Sequence, residues 1–166
     1  MRLDTARLAE LRRALILDSG PERAYNDITR LLATSLAVPI TMVNLLDAHR
    51  DWFKSRVGIQ QSKSPAITSF CEAFFSTSCD LILVEDTLLD PRFKAHPLVM
   101  GQPNIRFYAA ARLSVRGETV GTLCACDFRP RQLTTEQLEQ LRALASAVVE
   151  LIGSRSTVRE QTPAGT

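Results

Sequence analysis

The stretch Arg106-Phe-Tyr-Ala-Ala-Ala-Arg-Leu-Ser-Val115, then Arg116-Gly117-Glu118, then Thr119-Val-Gly-Thr-Leu-Cys-Ala-Cys-Asp127 decides the architecture. Its flanks are apolar and carry aromatic or β-branched residues, and a glycine-centred turn separates them, which is the pattern of a hairpin. If Cys124 and Cys126 share the return strand they point to one face, so they read as two packed thiols rather than a redox pair. Upstream, Ile40-Thr-Met-Val-Asn-Leu-Leu46 predicts another strand, Asp47–Asp51 a turn and Trp52–Val57 the return of a second hairpin. Leu81-Ile-Leu-Val84 predicts a short buried strand. Trp52, just after a turn, is expected to be partly exposed, and His49 to lie on the surface.

Helices flank the hairpins. Leu8, Leu11 and Leu15 recur at helical spacing within Leu3–Leu17. Pro21 opens a second helix through about Ala37, whose buried stripe is expected at Ala24, Ile28, Leu31, Leu32 and Leu36. Pro65 to about Thr77 predicts a short helix, Gly58–Ser64 a polar connector, and Val99–Asn104 a loop. Thr134 and Gln137 have capping-box spacing ahead of a last helix to about Ser154. Two hairpins with flanking helices give an α+β domain built on one antiparallel sheet. It spans residues 4–154, and residues 155–166 form a flexible polar tail.

The chain has 166 residues, enough for one domain, with 45% hydrophobic and 23% charged residues, values of a globular fold rather than a disordered or fibrous one. A net charge of +2 gives no electrostatic argument for nucleic acid, and the arginines are dispersed. No apolar run approaches the roughly 18 residues of a membrane span. The charged N-terminal half-segment does not resemble a secretory signal, so a cytoplasmic location is expected. No phosphate loop, nucleophile elbow or zinc-protease motif occurs. Four cysteines without a Cys-x-x-Cys, and two histidines, predict no metal centre.

Ala37-Val-Pro-Ile-Thr41, Asp51-Trp-Phe-Lys54, Ser69-Phe-Cys71, Asp86-Thr-Leu-Leu-Asp-Pro-Arg-Phe93, Ile105-Arg-Phe-Tyr108 and Gly121-Thr-Leu-Cys124 followed by Asp127 occur in an order that resembles a GAF domain. The resemblance is to the bacterial signalling subgroup found alone or fused to diguanylate cyclase, phosphodiesterase or histidine kinase domains. It implies a central sheet of five or six antiparallel strands. The N- and C-terminal helices would lie on one face and a loop-covered cavity on the other. It further implies a non-enzymatic sensor of a small molecule, homodimeric through its terminal helices and coupled to an output protein. The ligand and any cofactor are left unassigned. Two departures stand near the expected cavity: Ala109-Ala-Ala-Arg112 replaces a proline-containing run, and Phe74-Phe75 occupies a region often polar in the family.

The pocket implied by this resemblance is lined by Phe53, Phe70, Cys71, Asp86, Phe93, Arg106, Tyr108 and Cys124. Each has a second reading. Aromatic residues also build cores. Asp86, Asp90 and Arg92 can serve their own turn, and Arg106 can hold Asp86 or Asp90 instead of an anionic ligand. Cys71 and Cys124 invite an alternative function, thiol-dependent reduction of free methionine sulfoxide, which another branch of the fold performs. A further alternative is a structural dimerisation domain whose cavity has filled.

Overall fold

A computed structural model describes residues 1–161, with side chains through residue 157. Six strands form one sheet, antiparallel throughout: β1 (Ile40–Leu46), β2 (Arg50–Val57), β3 (Lys63–Pro65), β4 (Leu81–Val84), β5 (Phe107–Val115) and β6 (Glu118–Asp127), in the spatial order β3-β2-β1-β6-β5-β4. Helices α1 (Thr5–Arg13), α2 (Arg23–Leu36) and α4 (Thr135–Gln161) cover one face. The other face lies under the 3-10 segments Ala66–Thr68, Phe70–Ser76 and Thr87–Leu89 and the short α3 (Pro97–Met100).

Strand alternation makes two cores. Val43, Leu45, Phe107, Ala109, Ala111, Leu113, Leu123 and Ala125 point to the helices. Ile40, Leu46, Tyr108, Ala110, Cys124 and Cys126 point to the loops. The alanines opposite α4 are fully buried and small, which lets the helix approach the sheet closely. Gly121 serves the same end within the sheet: a Cβ there would stand 2.3 Å from the Asn44 carbonyl oxygen of β1.

Both hairpins form as the sequence predicts, and the expected pair Thr134–Gln137 closes reciprocally, at 2.9 and 3.1 Å. Several boundaries differ. The first helix stops at Arg13 because Leu15 and Asp18 turn to positive φ, and the fully buried Ile16 plugs the helix-side core from that turn. In α2 the buried stripe runs through Tyr25, Ile28, Thr29, Leu32 and Leu36, while Leu31 is 48% exposed and Ala24 is also exposed. The first hairpin's turn is shorter than predicted, since β2 already begins at Arg50. Lys63–Pro65, in the predicted connector, pairs with β2 as an edge strand. The segment after Pro65 is 3-10 rather than α-helical. Trp52 is buried in the helix-side core, whereas His49 is exposed as expected. The last helix continues past Ser154 to Gln161, because Arg155 is anchored on the carbonyls of Ala14 and Leu15 and on Glu22. Residues 162–166 of the predicted tail lie outside the described residues.

Candidate functional site

On the loop face, β1, β2, β5 and β6 present Asn44, Phe53, Tyr108 and Cys124 beneath the segment Ser69–Cys71. Between them lies a cavity of about 90 Å³, also lined by Met42, Asp51, Thr68, Leu98 and Cys126. That is on the order of three water molecules by liquid volume, and well below the ~300 Å³ at which drug-sized ligands begin to fit.

The cavity has a polar floor. Ser69 caps its own 3-10 turn by accepting from the Cys71 amide at 3.2 Å, which fixes the Cys71 side chain inward. The Cys71 sulfur meets the Tyr108 hydroxyl and the Thr122 hydroxyl, each at 3.1 Å, and the Asn44 amide nitrogen at 3.5 Å. Asn44 also donates to the Asp51 carboxylate at 2.9 Å, and the Ser69 hydroxyl donates to the same oxygen. The other Asp51 oxygen accepts from Arg2 at 2.9 Å, and Arg2 reaches on to Glu72 at 2.7 Å and to the Asp47 carbonyl at 2.8 Å. A chain of polar contacts thus runs from the cavity to the N-terminal segment that leads into α1. The side-chain Oδ1 of Asn44 is buried in this floor and has no hydrogen-bond partner among the described residues.

The electrostatics follow from these contacts. The hydrogen bond with Cys124 draws the Cys71 thiol below its usual range. Burial and Asp51 oppose it, and the Thr122 and Tyr108 hydroxyls assist. Its partner Cys124 is pushed well up, by that same hydrogen bond and by burial. Burial also raises Tyr108, Cys126 and the Asp51 carboxyl.

The eight anticipated residues separate. Phe53, Phe70, Cys71, Tyr108 and Cys124 line the cavity together. Phe93 stands behind it, with its ring centroid 5.3 Å from Phe70 and 5.7 Å from Tyr108, and His96 stacks on Phe70 at 4.2 Å. Asp86 and Arg106 do not reach it. They pair with each other, at 3.1 Å, and Asp86 lines a surface groove with Leu89 and Pro130. Asp90 pairs with Arg92 within its own turn at 2.8 Å. Arg112 lies over the Phe74 ring and donates to the Thr77 and Cys79 carbonyls, so this departure from the family pattern ties β5 to the segment beyond Phe74. Asn44, Asp51, Thr122 and Arg2 were not anticipated. The available signal was Asn44, a lone amide inside the apolar run Ile40–Leu46.

Among the described residues no cluster of His, Cys, Asp or Glu could hold a metal ion, and no helix is long and apolar enough to cross a membrane.

Comparison with known proteins agrees with this architecture. The chain is 32% identical over 152 residues to a cyclic di-GMP phosphodiesterase of Pseudomonas aeruginosa; the match covers 89% of the chain and 26% of that protein's length. The GAF domain from an Acinetobacter phosphoenolpyruvate-protein phosphotransferase superposes with a TM-score of 0.65 at 14% identity, over 95% of this chain and 99% of that one. A free methionine-R-sulfoxide reductase from Neisseria meningitidis superposes at 0.64 with 14% identity, over 92% and 89%, which is likeness of fold. The model of the GAF domain family matches residues 20–152, and the chain belongs to that family.

Proposed function

We propose that the chain is a non-enzymatic sensory module that registers a small molecule in the Cys71 cavity and passes the state to its terminal helices. The observation that carries this reading is the shared strands. Tyr108 and Cys124 face the cavity while their neighbours Phe107, Ala109, Leu123 and Ala125 face the helix-side core. Occupancy of the cavity therefore bears on the same backbone that α4 packs against, and a ligand that prefers one helix arrangement shifts its population. The likeness to part of a phosphodiesterase supports an enzyme output under such control, in a cytoplasmic homodimer joined through the terminal helices.

The clustered rings of Phe70, Phe93, Tyr108 and His96 favour a second reading, in which the cavity has closed and the domain only dimerises. Native mass spectrometry of the freshly purified chain separates the two. A dimer carrying a reproducible small adduct is expected, and a dimer without one favours the second reading. Turnover of free methionine sulfoxide with a thiol donor overturns both.

A further inference from the structure

We propose that Cys71 and Cys124 form an oxidisable dithiol that a small hydroperoxide converts to a disulfide. Three observations meet here. Cys71 is almost fully buried, yet the Tyr108 and Thr122 hydroxyls and the Asn44 amide converge on its sulfur. A neutral Cys71 can donate its one S–H to a single hydroxyl, whereas a thiolate accepts from both hydroxyls and from the Asn44 amide, so this surrounding favours the thiolate, the nucleophilic form. Cys124 projects from β6 on the same face as Thr122, two residues along, and lines the same cavity as Cys71. Finally, the cavity has room beside the sulfur for a molecule of hydrogen peroxide's size, and its lining residues Thr68 and Leu98 are only partly buried, so it reaches solvent on that side.

The chemistry balances with hydrogen peroxide as the oxidant. The Cys71 thiolate attacks one peroxide oxygen, the O–O bond breaks, and the departing hydroxide takes a proton to leave as water. Cys71 is then a sulfenic acid. The Cys124 sulfur attacks the Cys71 sulfur, the S–O bond breaks, and the released hydroxide leaves as a second water with the Cys124 proton. Two thiols are oxidised and one peroxide is reduced to two waters.

The disulfide fastens the 3-10 segment Phe70–Ser76 to β6. It also removes the thiolate that Asn44 helps to hold, while Asn44 keeps its bond to Asp51 and so its link to Arg2. This dithiol requires no ligand, so it stands or falls apart from the sensory reading.

The test uses the full chain carrying Cys79→Ser, which removes the exposed thiol. After stoichiometric hydrogen peroxide, denaturation and alkylation, peptide mapping should find Cys71 joined to Cys124 and both lost as alkylatable thiols, with recovery on reduction. Adding Cys124→Ser should stop the reaction at a Cys71 sulfenic acid trapped by dimedone. A map in which Cys71 and Cys124 remain fully alkylated, or in which Cys124 pairs only with Cys126, overturns the proposal. If the Cys124→Ser variant does not fold, the map of the folded Cys79→Ser chain decides alone.

Discussion

Asp51 is the residue on which the loop face depends most. Its side chain is 3% exposed and that of its partner Arg2 is 7% exposed, so their attraction is little screened by solvent. Removing one member of such a buried pair leaves the other charge uncompensated. For Asp51→Asn the expected loss is about 3 kcal/mol, at the lower end for buried pairs because Arg2 keeps Glu72. Urea denaturation with an unchanged slope measures it. A loss under about 0.5 kcal/mol, the range of a surface substitution, would show that the pair is not needed. Adding Arg2→Met should recover part of the loss, since an apolar replacement removes the stranded charge. Asp51 also marks where sequence reading stopped. The run Asp47–Asp51 predicts a turn there, and only the register of β2, with Leu46 opposite Asp51, puts it in a strand. Phe53, Phe70, Cys71, Tyr108 and Cys124 were legible through motif order. Asp86 and Arg106 belong to motifs of the same strength, but their charges satisfy each other, and sequence alone cannot exclude such pairing.

At the scale of elements, the α2–β1 junction is a point of strain. Ala37 ends α2 at φ 52, with its amide bonded to the Ala33 and Thr34 carbonyls. An L-residue pays about 1 kcal/mol in that conformation and glycine does not. Ala37→Gly should therefore stabilise the chain by up to about 1 kcal/mol, seen as a raised denaturation midpoint; a drop would mean that the Ala37 methyl is packed. The converse holds where β1 meets β6. Gly121→Ala drives a methyl against the Asn44 carbonyl and the Leu45 side chain, with an expected cost of about 2 kcal/mol. Hydrogen exchange should place the loosening in β1 and β6. The hairpins were legible because apolar and β-branched runs of seven or more residues are bounded by turn residues. The three-residue β3 carries no period, and its pairing depends on β2. The extent of α4 escaped for a related reason. Arg155 looks like the start of a polar tail, but its partners are the carbonyls of a turn far away in sequence.

For the whole molecule, Glu22 is the group that joins the parts. It stands at the head of α2 and pairs with Lys54 of β2 and Arg155 of α4. Burial opposes its charge, yet Lys54 and then Arg155 outweigh that and hold the carboxyl below the ordinary glutamate range. A carboxyl whose pKa is lowered by folding binds fewer protons in the native state than in the unfolded one. Its contribution is therefore complete above its unfolded pKa of 4.5 and is lost as pH falls through the lower folded value. Lys54 sharpens the effect: its side chain is fully buried, and once Glu22 is protonated its ammonium is left with Ser19, the Gly20 carbonyl and the face of Tyr25. Glu22→Gln should accordingly lower the denaturation midpoint at neutral pH. The gap to wild type should then close as pH falls below the glutamate range, where both proteins carry a neutral side chain. Asp18, Asp47 and Asp90 are also held low by their arginine and amide partners, and they contribute equally to both proteins, so the difference isolates Glu22. A gap that stays constant down to the acid transition would assign the effect of the variant to shape and hydrogen bonding, and would remove charge as the means by which Glu22 fastens α2 and α4 to the sheet.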